Sequence, residues 1–206
     1  MTNTPRSQKT LPDPFWIYAY GSLMWDPGFP YEEEQPGLIH GYHRSLCVLS
    51  TIYRGTPDHP GLVLGLDQGG SCCGRTFRVA AKHVNATLAY LDKREQVTKV
   101  YCPHFLDTKL SDGRTVKAYT FVVRREHEQF AGALSLKKQA ELVAQGVGDR
   151  GPAIDYLANT VKHLNDLNIR DTQLHQVLEQ AYRVRSRLPK HSATPLSMTA
   201  TAPKSR

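Results

Sequence analysis

The run FWIYAYGSL, from Phe15 to Leu23, is apolar and aromatic until Gly21 interrupts it. Phe15–Tyr20 has the length and composition of a strand, and Tyr20-Gly21-Ser22-Leu23 is the loop that leaves it. Glycine there permits a tight turn and lets a ligand approach the backbone, exposing amides that can hold an anion. Taken alone, the tetrapeptide also fits an ordinary turn. Ser22 lacks the Gly-x-Ser-x-Gly elbow of a nucleophilic serine.

Further strand candidates follow. Leu38–Arg54 is long, partly alternating and interrupted by Gly41, and Gly61–Leu66, Gly74–Ala80 and Thr115–Val123 are shorter. Gly55-Thr56-Pro57 and Asp67-Gln68-Gly69-Gly70 supply turns between them. The second half changes period. Leu136, Ala140 and Val143 recur at helical spacing before Gly146 and Gly148 stop the run. Pro152 suits the first turn of a helix whose inward stripe is Ile154, Leu157, Ala158, Val161 and Leu164. Asp171 can cap a last helix with Leu174, Val177, Leu178 and Ala181 inward. Strands first and helices second read as an α+β fold. One domain is expected over 14–188, with a disordered leader at 1–13 and a disordered basic tail at 189–206.

Between the halves lies Ala81–Glu95. Val84, Leu88 and Leu91 mark one buried helical face. Eleven residues make almost three turns, so Glu95 falls about 20° from Val84 on that stripe. The spacing therefore aims a carboxylate at the interior, where burial raises its pKa towards the range useful for moving protons. A helix ending near Lys93, with Glu95 in a wet loop beside Arg94, fits the spacing equally.

Composition removes several classes. The 206 residues carry a net charge of +7. The first 12 hold +2 and the last 20 hold +4, which leaves +1 for the 174 between them. A nucleic-acid enzyme carries its basic excess on the folded face that meets phosphate, so nucleic acid is not the expected partner. No apolar run approaches a membrane span. Met1–Pro12 shows no secretory apolar stretch, and the expected compartment is the cytoplasm. Cys47, Cys72, Cys73 and Cys102 form no Cys-x-x-Cys pair, and the nine histidines are scattered. Reduced, mostly buried thiols are expected, and no metal site.

The combination of motifs is more specific. Trp16 to Trp25, then Phe29-Pro30, Gly41-Tyr42-His43-Arg44, Tyr53-Arg54-Gly55-Thr56-Pro57 and Pro60 to Leu66 closely resemble the ChaC family. So do Tyr90-Leu91-Asp92-Lys93-Arg94-Glu95, Tyr101, and Gly151 to Asp171. The resemblance covers roughly residues 15–185. It implies glutathione-acting γ-glutamylcyclotransferases, which are carbon–nitrogen lyases, and a small mixed β-barrel surrounded by helices. It places the family's catalytic glutamate at Glu95 and the substrate-binding turn at Ile17, Tyr18, Ala19, Tyr20, Gly21, Ser22 and Leu23. Ala19 before Tyr20, and Gln96–Val100 before Tyr101, depart from the animal pattern and resemble the bacterial branch. That departure leaves preference among γ-glutamyl substrates open.

The implied chemistry is self-contained. The α-amine of the γ-glutamyl group attacks its own γ-carbonyl, releasing 5-oxoproline and cysteinylglycine, so no cofactor is needed. Turn amides would hold the α-carboxylate or the developing oxyanion. Tyr20 either donates a hydrogen bond to substrate or caps the barrel. Arg54 either pairs with a substrate carboxylate or is solvated, and Tyr101 is a pocket candidate. Arg94 either anchors the helix end or tunes Glu95, the structural role being favoured, and Glu32-Glu33-Glu34 is read as a solvated loop. A monomer acting on glutathione is expected. A cyclotransferase for other γ-glutamyl amines, or a non-catalytic γ-glutamyl-binding module, are the rivals.

Overall fold

β2 (Glu33–Ser50) and β3 (Gly61–Val79) form one long antiparallel ribbon, paired from Glu33 with Arg78 to Ser50 with Gly61. The structure, a computed structural model, describes residues 11–187. The expected leader falls mostly, and the expected tail wholly, outside them. Pairing slips between His40 and Tyr42, where Gly41, Gly69 and Gly70 have φ of 83°, 99° and 68°. Only glycine takes that conformation freely. The turn expected at Asp67–Gly70 is therefore a bulge that bends the ribbon, because β2 continues to pair on both sides of it.

Glu33 and Glu34 open β2 rather than lying in a solvated loop. Glu34 pairs with Arg75, while Glu33 meets Arg78 at 3.1 Å and also Arg114. At its other end β2 stops at Ser50, short of Arg54.

β1 (Phe15–Ala19) runs antiparallel to β3 and parallel to β5 (Thr115–Val123); β4 (Tyr101–Leu110) joins β5 to β2 and closes a mixed five-stranded barrel. All five residues of β1 are buried. Phe15, Ile17 and Ala19 enter a core shared with helices, whereas Trp16 and Tyr18 enter a smaller core drawn from the strands alone. Burial on both faces explains why the run carries no polar alternation. β4 escaped the sequence reading because Pro103, His104, Asp107 and Lys109 disguise it. At Pro103 the strand pairs with β5 alone, since β2 meets it only from Thr108 to Leu110, and a proline is tolerated at such an edge.

The three later helices follow most of the expected stripes, although Leu136 is exposed. After a 3-10 turn at Ala81–His83, α1 spans Val84–Glu95. α2 (Leu136–Gln145) is capped by Ser135, and α4 (Thr172–Arg185) by Asp171, whose carboxylate accepts from Leu174 N at 3.1 Å. Val143, Leu157, Leu164 and Val177 pack with Phe15, Leu62 and Phe77 in the larger core, each large side chain stabilising by roughly 1.5–3 kcal/mol. Ala158 and Leu178 are only half-buried. The two-residue strands β6 (Val147–Gly148) and β7 (Gly151–Pro152) make a small hairpin leading into α3 (Ala153–Asp166). Gly146 has an ordinary φ of −67°. Its value lies in closeness: a Cβ there would stand 2.3 Å from Gly61 Cα and 2.4 Å from Arg54 O. No helix among the described residues is long and apolar enough to cross a membrane.

Candidate active site

α1 runs through Glu95, so the carboxylate is fixed by the last helical turn. The most buried stripe, however, is Val84, Thr87, Leu91 and Arg94. The charge at its end is Arg94, whose side chain is 7% exposed against 21% for Glu95. Glu95 stands beside that stripe and forms part of the wall of a cavity of about 230 Å³. Arg94 is the hub. Its guanidinium donates to Ser22 Oγ at 3.0 Å, Asp26 O at 2.7 Å and Tyr90 Oη at 2.6 Å, and its Nε lies 3.2 Å from Glu95 Oε1. One side chain thus ties the loop after β1 to the candidate acid/base. It also occupies Ser22 Oγ as an acceptor.

The loop after β1 forms the facing wall. Tyr20, Gly21, Ser22 and Leu23 all line the cavity, with Ser22–Met24 making a single 3-10 turn. The first amides of a helical turn have no acceptor upstream, so geometry leaves them for a ligand. Gly21 has no positive φ, but a Cβ on it would come within 3.3 Å of Tyr156 Oη. Glycine is needed there for space. From outside the cavity, Arg44 donates to Tyr20 O at 2.6 Å and Cys73 O at 2.7 Å, pinning the loop to β3.

Burial raises the Glu95 pKa, opposed by the charges of Arg94 and Arg150. Tyr20, Tyr101 and Tyr156 line the same cavity. Each is pushed up chiefly by burial, Tyr156 to about 12, with the Glu95 charge adding to all three. Their hydroxyls stay protonated at neutral pH. Tyr101 Oη donates to Leu64 O at 2.7 Å, so its proton is committed to the backbone.

The sequence candidates separate into three groups. Tyr20, Gly21, Ser22, Leu23, Glu95 and Tyr101 converge on the cavity. Tyr18 and Ala19 border it from β1, but the Tyr18 hydroxyl donates away from it to Cys72 O at 2.8 Å. Ile17 does not line it and is 1% exposed in the larger core. Arg54 reaches the wall, yet one terminal nitrogen donates to Arg150 O and Pro152 O, so part of its donor set is committed to backbone.

Among the cavity residues that were not anticipated are Gln129, Arg150 and Tyr156. Tyr156 is the one aromatic among the inward positions of α3, which it shares with aliphatic residues and Thr160. Arg150, in a two-residue hairpin turn, gave no signal. Gln129 donates to Leu49 O and Thr51 Oγ1 while its Oε1 is buried without a partner. Of the four free thiols, Cys47 and Cys72 are buried and Cys102 is partly buried, while Cys73 is exposed.

A barrel with this cavity at the end of its first strand is the γ-glutamylcyclotransferase fold. A crystal structure of a γ-glutamyl cyclotransferase specific to glutathione from yeast matches it with a TM-score of 0.76, over 83% of this chain and 96% of that one, at 23% identity. Residues 15–184 match the family of ChaC-like proteins, and the chain belongs to that family. It is 34% identical to the glutathione-specific γ-glutamylcyclotransferase of Escherichia coli, over 80% of this chain and 71% of that one. It is 29% identical to the glutathione-specific enzyme of Schizosaccharomyces pombe, over 85% and 94% of the two chains.

Proposed function

We propose that this chain cyclises the γ-glutamyl group of glutathione, releasing 5-oxoproline and cysteinylglycine, with Glu95 as general acid/base. The observation that carries the reading is one carboxylate of raised pKa on the wall of a small cavity, opposite a glycine turn and beside three protonated phenols. The substrate's α-ammonium must lose a proton before its nitrogen can attack the γ-carbonyl carbon. Glu95 takes that proton. As the C–N bond to cysteine breaks, the departing nitrogen needs one, and Glu95 returns it. A carboxyl whose pKa is raised serves both halves, a contribution of roughly 10² to 10⁴ in rate.

The fold supplies the rest by placement. The cavity holds the γ-glutamyl chain curled so that amine and carbonyl meet, and such orientation can supply several kcal/mol. Amides of the Gly21–Leu23 turn are placed for the α-carboxylate or the developing oxyanion, and Tyr20 and Tyr156 can add hydroxyl donors. The four cysteines are free, which suits the cytoplasm, where thiols stay reduced. We read the chain as acting there as a monomer on a small molecule, without nucleic acid as partner.

Incubating the purified protein with glutathione and with γ-glutamyl-alanine tests the reading. Release of 5-oxoproline from glutathione supports it. Release from γ-glutamyl-alanine alone would make the chain a cyclotransferase for other γ-glutamyl amines. Binding of glutathione with no release under any pH would leave a γ-glutamyl-binding module instead.

A further inference from the structure

The small hairpin β6–β7 turns through Asp149 and Arg150, and both residues are held from the cavity side. Asp149 N donates to Ile52 O and Arg150 N to Tyr53 O, each at 2.9 Å. Arg54 fixes the same turn by donating to Arg150 O. The Arg150 guanidinium lies 4.1 Å from the Tyr53 ring centroid, a stacking contact that sets its direction. So backbone and ring together hold this exposed side chain at the cavity wall.

No carboxylate answers it. Every other cavity arginine is engaged: Arg94 with Glu95 and Asp26, Arg54 with two carbonyls. Among the described residues no ion pair includes Arg150. A guanidinium presents paired donors that match a carboxylate, and pre-orientation lowers the entropy lost on binding. Its charge also reaches Glu95, where it opposes the effect of burial. An anion bound by Arg150 would thus lie within one small molecule's reach of the reacting centre.

Glutathione has two carboxylates. The α-carboxylate travels with the amine that must enter the cavity. The glycyl carboxylate lies two residues beyond the γ-carbonyl, at most about 7 Å along an extended chain. At that length it can reach from the reacting centre to another part of the cavity wall, which Glu95 and Arg150 share. We infer that Arg150 binds the glycyl carboxylate of the tripeptide and makes the site selective for substrates with an anionic group at that distance. The inference rests on the proposed cyclisation of glutathione.

The test compares glutathione with its glycine ethyl ester, which is identical at the reacting atoms and replaces the charged carboxylate with a neutral, slightly larger ester. Initial rates of 5-oxoproline release are measured for the full-length protein, R150A and R150K. The unmodified protein should prefer glutathione over the ester by about tenfold in kcat/KM, the scale of one charge-assisted contact, with the difference mainly in KM. In R150A that preference should collapse towards one, and R150K should retain part of it. Any effect of the lost charge on Glu95 acts on both substrates equally and cancels in the ratio. A ratio unchanged in R150A, whether or not both rates fall, would overturn the assignment. No release from glutathione by the unmodified protein would instead overturn the proposed function.

Discussion

Glu33 and Glu95 each touch an arginine, and their acidities move in opposite directions. Glu33, at the start of β2, meets Arg78 and Arg114 on the surface, and its carboxyl is held below its ordinary value by those partners, chiefly Arg114. Glu95 lies 3.2 Å from Arg94, yet its carboxyl is raised because burial outweighs the partner. Arg94 also donates to Ser22, Asp26 and Tyr90. An ion pair drawn on paper looks the same in both places. The two carboxylates are themselves about equally exposed, at 23% and 21%. What separates a surface clasp from a proton carrier is the depth of the surroundings: Arg78 and Arg114 are 37% and 47% exposed, Arg94 only 7%.

Glu95→Gln tests the cavity half of that contrast and should have the largest effect. Glutamine keeps the shape but cannot carry the proton, so turnover of glutathione should fall by about 10² or more while binding persists. Stability should hold or rise, because a neutral amide loses less hydration on burial than a carboxylate. Melting temperature and 5-oxoproline release measured on one preparation decide the matter. A stable, fully active variant would remove Glu95 from the mechanism.

Arg94→Met comes next. It removes the charge that opposes burial, so Glu95 should become harder to ionise. The limb of the rate profile governed by Glu95 should move to higher pH, and kcat/KM at neutral pH should fall about tenfold. Four contacts of a buried guanidinium also disappear, so the melting temperature should drop. A drop in stability with an unmoved pH profile would reduce Arg94 to an anchor of the loop after β1.

Much of this contrast was legible in the residue pattern, for reasons that differ by element. The three later helices followed from apolar spacing because each buries one stripe. β1 followed from its unbroken apolar run. Glu95 stood out because a carboxylate on such a stripe is costly and needs a reason. What stayed hidden was set by partners far along the chain. Gly69-Gly70 has the composition of a turn, and only the continuing β2 makes it a bulge. Glu33 looked like part of a solvated acidic run, and its arginines come from β3 and the hairpin after β4. Arg150 gained its place from contacts with Tyr53 and Arg54 nearly a hundred residues away.

Glu33→Gln should have the smallest effect and gives the cleanest check on the comparison, because the two carboxylates should tilt stability in opposite directions with pH. Glu33 has a folded pKa below the ordinary 4.5. Its contribution is present above that value and lost as pH falls below it. Glu95 has a folded pKa above the ordinary 4.5, so its contribution is complete below 4.5 and disappears as pH climbs through the raised value. Relative to the unmodified protein, Glu33→Gln should therefore be slightly less stable at neutral pH and equal to it well below pH 4. Glu95→Gln should differ least in acid and gain as pH rises. Exposed pairs contribute little, so the Glu33→Gln shift in melting temperature should be at most a degree or two, with turnover within about twofold. Melting curves of the three proteins from pH 3.5 to 8 would show the two differences, both small in acid, diverging with opposite sign as pH rises. If both variants changed in the same direction across that range, burial would not be what sets Glu95 apart.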